Sequence, residues 1–172
     1  MAVQTKTVRP DWVAALRAYA QADQAKATRQ LIDTLVPYVA LWAAMVLAIR
    51  RGWSPWVTGG LAVVAALFLI RIFIIFHDCC HASFLSSRQA NRIWGTLTGM
   101  LVLTPYESWR VAHIRHHGTA GDLDNRGTGD VRMMTVAEYE AATPWERLSY
   151  RVYRHPLVMF GIGPLASFVV GP

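Results

Sequence analysis

The chain has 172 residues, of which 53% are hydrophobic and 16% charged, and it carries a net charge of +6. That balance excludes an ordinary soluble domain and points to a membrane. It also argues against nucleic-acid binding, because the arginines flank apolar blocks instead of lining one polar face. The two cysteines, Cys79 and Cys80, are adjacent. A disulfide between neighbours strains the intervening peptide, so the chain has no disulfide framework, which fits a reducing compartment. No cleavable signal peptide is evident, since the first apolar block begins near Leu31.

Residues 1–30 form a mixed leader, in which Asp11 after Pro10 can start an amphipathic helix through WVAALRAYAQADQAKATRQ. A first membrane span is expected over 31–49, with Asp33 at its edge and Pro37 near its entry. RRGWSPW, residues 50–56, makes a tight turn whose Trp53 and Trp56 suit the headgroup interface. A second span follows over 57–76, long enough to cross a bilayer core, with Arg71 placed to snorkel near its far end. Residues 31–76 thus read as a transmembrane hairpin. The Lys and Arg distribution places the leader and the segment 77–155 on the cytoplasmic side. IWGTLTGMLVLTP, residues 93–105, is too short to span and reads as an interfacial or re-entrant helix ended by Pro105. The next segment is helical up to Gly118 and then becomes a loop rich in Gly, Asp and Asn. A polar helix is expected over 136–154. From Pro156 a third apolar block begins, broken at Gly163-Pro164. There is no internal repeat and no low-complexity tract.

Five of the six histidines fall in two clusters, HDCCH at 77–81 and HIRHH at 113–117. His77 and His81 stand at i and i+4; His113, His116 and His117 stand at i, i+3 and i+4. On helices each set faces one way and can present imidazole nitrogens to a common point. These five are the candidate metal ligands, and His155 reads as a polar interface residue. Cys79 and Cys80 do not share the face of the His77/His81 pair and read as packing or reactive thiols. Asp78 is either a partner that fixes an imidazole tautomer or a helix-end charge. Asp122 and Asp124 read as loop caps or, alternatively, as partners that orient the ligands. Imidazole suits Zn, Cu, Fe and Ni. The glutamate of an HExxH zinc hydrolase is absent, and bis-histidine haem fits clustered histidines poorly. A histidine-rich site at a membrane edge suggests oxygen chemistry on lipid.

RIFIIFHDCCHASFLSSRQAN, TGMLVLTPYESWRVAHIRHHGTAGDLDNRGTGDVRMMTVAEY and RLSYRVYRHPLVMFGIGP together resemble the membrane-bound fatty acid desaturases. Within that family the resemblance is strongest to the bacterial acyl-lipid omega-6 (delta-12-type) branch, and it covers the chain from about residue 60 onward. The resemblance implies an all-α integral membrane fold. A transmembrane hairpin would be followed by cytoplasmic helices bearing histidine boxes and by the start of a third membrane helix, in the bacterial inner membrane. It implies two non-haem irons, with His77 and His81 matching an HxxxH box and His113, His116 and His117 an HxxHH box. No catalytic residue is implied beyond the ligands. O2 is the implied co-substrate, a fatty acyl chain on lipid, CoA or a carrier is the substrate, and a separate carrier such as ferredoxin supplies electrons. Tyr106 and Trp109, just ahead of the second box, would line the acyl tunnel or anchor at the interface.

Two departures from the family pattern stand out. Family members often have glycine where this chain has Cys80 and Ala82, so close packing is expected there. A third HxxHH box is absent before Pro172, so 1–172 reads as one incomplete desaturase domain, either a fragment or a truncated product. The expected reaction is insertion of a cis double bond. Hydroxylation or epoxidation at the same kind of site, or a non-catalytic membrane remnant, are the alternatives.

Overall fold

The computed structural model describes residues 11–16, 19, 21–126 and 131–163. These fall into two units, Met1–Asp122 and Leu123–Pro172, each taken by itself below. Among the described residues all regular structure is helical.

The leader does not form the single helix its composition suggested. Helix α1 covers only Asp11–Leu16, and α2 starts afresh at Gln24. Asp23 sets this second start. Its extended backbone ends any preceding helix, and its carboxylate accepts from the Ala25 and Lys26 amides at 3.1 and 3.0 Å, satisfying donors that a helix start leaves orphaned. Helix α2 then runs through Arg50 without a break at Pro37, starting seven residues before the expected span. Asp33, at the edge of that span, pairs with Arg29 one turn earlier at 3.2 Å.

Helix α3, Pro55–Cys80, begins with proline at its first position behind Ser54, where the missing N–H costs nothing. Both α2 and α3 are long and apolar enough to cross a membrane, and they pack side by side as a hairpin. The buried residues of α3 near its C-terminal end are Ile72, Ile75, Phe76, Cys79 and Cys80. That i, i+3, i+4, i+7, i+8 stripe is the face of one helix. Val63, Val64, Leu67 and Ile70 remain exposed, as expected of side chains that face lipid.

Helix α4, Arg88–Leu101, starts five residues before the expected segment because Ser87 caps it through the Ala90 amide. It packs along α3. The bend between α3 and α4 is held by Asn91, which is 1% exposed. Its amide accepts from the Leu85 N–H at 3.0 Å and donates to the carbonyls of Leu85 and Ser87. Asn91→Leu should cost about 3 kcal/mol, because the buried Leu85 amide and carbonyl lose their partner. A thermal melt followed by circular dichroism in detergent checks this, and an unchanged midpoint would contradict it.

Helix α5, Tyr106–Thr119, follows directly on Pro105. Ala27 and Leu31 of α2, the α3 stripe, Phe84, Leu85, Val102 and Tyr106 form one hydrophobic core, with Trp94 and Trp109 packed against it.

In the second unit, the single helix expected over 136–154 is two, α6 at Val136–Ala141 and α7 at Pro144–Arg154. Each opens with the same device. Thr135 pairs with Glu138, and Thr143 with Glu146, as reciprocal capping boxes. Pro144 cannot donate within a continuing helix, so the chain restarts there. A short π-helical turn covers Val158–Ile162. Most of the apolar block from Pro156 to Pro172, read above as the start of a third span, lies outside the described residues.

Candidate metal centre

The last turn of α3 and the second half of α5 bring the two histidine clusters together. His77 lies in the final turn of α3, and His81 is its C-cap residue. His113 and His117 sit one turn apart on α5. One nitrogen from each of these four lies within 4.8 Å of the others. The Nε2 atom of His113 is 3.1 Å from that of His81 and 3.0 Å from that of His117. The rings of His77 and His81 are 4.7 Å apart between centroids, as are those of His77 and His113. His116 lies outside this group of four. Its ring centroid is 6.1 Å from that of His113 and 5.8 Å from that of His117, because a step of three residues points well to one side of a step of four.

The donor set fits a cation. A neutral imidazole nitrogen carries either one hydrogen or one lone pair, so His113 Nε2 can satisfy only one of its two short contacts by hydrogen bonding. Two nitrogens bound at right angles to one ion, each about 2.1 Å from it, lie about 3 Å apart, which matches the separations here.

Proton affinity points the same way. Burial and then the charges of His77 and His117 hold His113 down, to about 4 from an ordinary 6.5. Burial and the same two neighbours also lower His81. His81 and His113 are therefore neutral and available as ligands near pH 7. A group whose folded value lies below its unfolded one favours folding at pH above 6.5, and that contribution is lost as pH falls from 6.5 toward 4. In the metal-free protein, the His113 ring resonance should titrate near pH 4 by NMR. An inflection near 6.5 would show that the imidazoles are not packed together.

Neighbouring residues fix these rings. Asp78 Oδ1 is 3.0 Å from His77 Nδ1. That contact places the ring hydrogen on Nδ1 and leaves the Nε2 lone pair free for a metal. The Trp109 indole stacks on His113, with centroids 4.2 Å apart and planes 20° from parallel. Its ring also meets Phe76 at 4.9 Å, Phe73 at 5.7 Å and His77 at 6.0 Å. Tyr106 is buried, and its hydroxyl donates to the Cys79 carbonyl at 3.1 Å. Both aromatics named as tunnel candidates thus pack α5 onto α3. Their spacing relative to His113, at i, i+3 and i+7, places all three on one helix face and is visible in the sequence. Glu107 was not singled out from the sequence. It pairs with Arg92 of α4 at 2.9 Å and with Arg110 at 3.4 Å, tying α5 to α4.

The two departures from family glycine resolve differently. Cys80 is buried in the core. Ala82, directly after the first box, has φ of +53°, a left-handed conformation that glycine adopts without strain. Ala82→Gly should stabilise the protein by about 0.5–1 kcal/mol, seen as a higher thermal midpoint; a lower one would contradict the strain.

Residues 51–170 match the family described as fatty acid desaturase. The chain is 46% identical over 153 residues to a fatty acid desaturase of Bacillus subtilis (strain 168), covering 89% of this chain and 43% of that protein. It is 31% identical over 142 residues to a probable fatty acid desaturase of Sorghum bicolor, covering 83% and 34%. Over 54 residues it is 39% identical to an sn-1 acyl-lipid omega-3 desaturase (ferredoxin) of Nostoc sp. (strain 36), covering 31% and 15%. No solved structure matches the chain. The chain spans less than half the length of these relatives. The long apolar helix α3 and all four converging histidines lie within the matched residues, and this chain belongs to the fatty acid desaturase family.

Proposed function

We propose that the protein introduces a cis double bond into a fatty acyl chain, with its histidines holding non-haem iron. The observation that carries this reading is the convergence of four imidazole nitrogens at the end of a helix long enough to cross a membrane. His77, His81, His113 and His117 would hold the metal, with His116 of the second box as a fifth ligand of an iron pair. When bound, iron supplies the activation of O2: two neighbouring methylenes each lose one hydrogen, O2 takes up two electrons and two further protons, and two waters form.

The chain's own residues set up that chemistry. Asp78 holds His77 in the tautomer that offers Nε2. Trp109 and Phe76 close the α3 side of the histidine cluster with aromatic carbon, so water is excluded from that flank. The apolar face of α3 leads to the same point, so an acyl chain lying among lipid tails reaches the site without crossing water. Relatives named as ferredoxin-dependent acyl-lipid desaturases support a lipid-linked substrate and a ferredoxin-type donor. The Lys and Arg distribution supports a cytoplasmic site on a bacterial inner membrane.

The test is expression of the full gene product in a host lacking the product double bond, followed by gas chromatography of total fatty acids. New unsaturated chains should appear with the native sequence and disappear with His117→Ala, while the amount of protein in the membrane fraction stays constant. An unchanged fatty acid profile with the native protein would overturn the reading. Retained desaturation in His117→Ala would overturn the ligand assignment.

A further inference from the structure

The second unit contains a groove of about 580 Å³ whose walls include Tyr139, Glu140, Arg147, Tyr150, Arg151 and Arg154. Its basic wall belongs to α7. Arg147, Arg151 and Arg154 stand at i, i+4 and i+7, so they share one helix face. Two of them are held in place by neutral groups. Arg147 Nε donates to the Ala142 carbonyl at 2.9 Å, and another of its N–H groups donates to the Glu140 carbonyl. Arg151 Nε donates to the Tyr139 hydroxyl at 2.6 Å. Both guanidinium carbons lie 5.7 Å from the centre of the Tyr139 ring. Two cations are therefore gathered around one aromatic ring.

Among the described residues, none of Arg147, Arg151 and Arg154 is ion-paired. Glu138 is taken by Arg126, through two contacts of 3.0 Å, and Glu146 by the Thr143 cap. Glu140 lines the groove but makes no ion pair with the three arginines. Oriented guanidinium groups with free N–H donors are the usual receptor for phosphate oxygens.

The rest of α7 says which phosphate. Trp145, Leu148 and Val152 stand at i, i+3 and i+7 and are 75%, 50% and 53% exposed. At about 100° per residue, the arginine face lies roughly 120° around the helix from this apolar stripe. A helix that lies in a membrane surface on its Trp-Leu-Val stripe carries such arginines at its flank, at the depth of the lipid phosphates. Capping boxes fix both α6 and α7 beside the groove, so its walls are formed without the ligand.

We propose that this groove binds the headgroup phosphate of an anionic phospholipid of the surrounding bilayer, with Arg147, Arg151 and Arg154 as the anion receptor and Trp145, Leu148 and Val152 seated among the acyl chains. The site is separate from the histidine cluster, and its occupant is a lipid that is bound and not transformed. It depends on the chain lying in a membrane and not on the desaturation reaction.

The test is native mass spectrometry of the full protein in neutral detergent, titrated with dioleoyl phosphatidylglycerol or dioleoyl phosphatidylcholine. The native protein should bind one phosphatidylglycerol about tenfold more tightly than phosphatidylcholine. The pair Arg151→Gln and Arg154→Gln should remove that preference. The pair Lys26→Gln and Arg88→Gln, which loses the same charge elsewhere, should keep it. Circular dichroism should show equal helix content in all three proteins, since the four replaced side chains are exposed. Equal phosphatidylglycerol binding by the native and Arg151/Arg154 proteins would overturn the proposal. So would loss of the preference in the Lys26/Arg88 control, which would reduce it to net charge. Displacement of the lipid by millimolar inorganic phosphate would also overturn it, because the site would then be one for free phosphate.

Discussion

Replacing His113 by alanine should remove metal binding more completely than replacing any other single histidine. His113 is the hub of the cluster. Its Nε2 makes both of the short nitrogen contacts, to His81 at 3.1 Å and to His117 at 3.0 Å, and its ring touches that of His77 at 4.7 Å. Even residues that only orient a ligand are worth about 10–100-fold in metal affinity; loss of the central ligand should exceed that range. Cobalt(II) is a suitable probe, since its visible absorption reports the nitrogen ligand field. The native protein should develop that spectrum and His113→Ala should not, while His155→Ala, at the end of α7, should match the native protein. Trp109 gives a second readout. Its indole stacks 4.2 Å from His113, so a paramagnetic ion at the cluster should quench its fluorescence, and Trp109→Phe should remove most of the metal-dependent quenching. A His113→Ala protein with undiminished cobalt affinity would show that the four nitrogens do not act as one site.

Gly95→Ala should be strongly destabilising for so small a substitution. A Cβ at that position would lie 2.3 Å from Tyr106 Cε2, 2.6 Å from its Cδ2 and 3.1 Å from the Cβ of Cys79. Tyr106 has nowhere easy to go. It is 8% exposed and its hydroxyl is committed to the Cys79 carbonyl. Forcing the ring aside opens the seam where α3, α4 and α5 meet, at an expected cost of about 2–3 kcal/mol, even after alanine's better helix propensity. Gly60→Ala provides the contrast. Nothing lies within 4 Å of a Cβ there, so propensity alone should apply and the change should be neutral or stabilising by up to about 1 kcal/mol. Thermal melts in detergent separate the two. Equal midpoints would mean that α4 does not rest on Tyr106. Because that seam holds α5 against α3, Gly95→Ala should also weaken cobalt binding without touching a ligand.

The helical hairpin and the histidine clusters were legible because each depends on a strong local signal. A run of some twenty apolar residues needs no partner to be recognised, and i, i+4 histidine spacing places two rings on one face whatever lies opposite. Other features depended on contacts between segments distant in sequence. The packing of Trp109 on His113 and Phe76 was one such feature, because spacing gives its helix face but not what that face meets. The Arg92–Glu107 pair bridges residues 92 and 107 through a bend whose geometry Asn91 sets. Two misreadings concerned signals that were present. Asp23 and Thr143 are helix starts, and each was overrun by the helix-forming residues around it, whereas Thr135 stands directly before the expected start at 136. Ala82 was noted only as a departure from glycine; its φ of +53° supplies the physical reason.

Helix α3 is unbroken from Pro55 to Cys80, and this makes it both a ruler and a clock hand. The 21 residues from Trp56 to His77 rise about 30 Å at about 1.5 Å each. The indole at one end and His77 at the other are thus a fixed distance apart, and anchoring Trp56 at one membrane face would set the depth of the histidine cluster at the other. Angle is tied to length in the same way. One residue added in the middle of α3 would lift His77 by only about 1.5 Å but swing it about 100° away from His113. Four added residues would lift it by about 6 Å and return it to within about 40° of its starting direction. Of the two insertions, the shorter should disrupt the site more, which is the opposite of what depth alone would dictate.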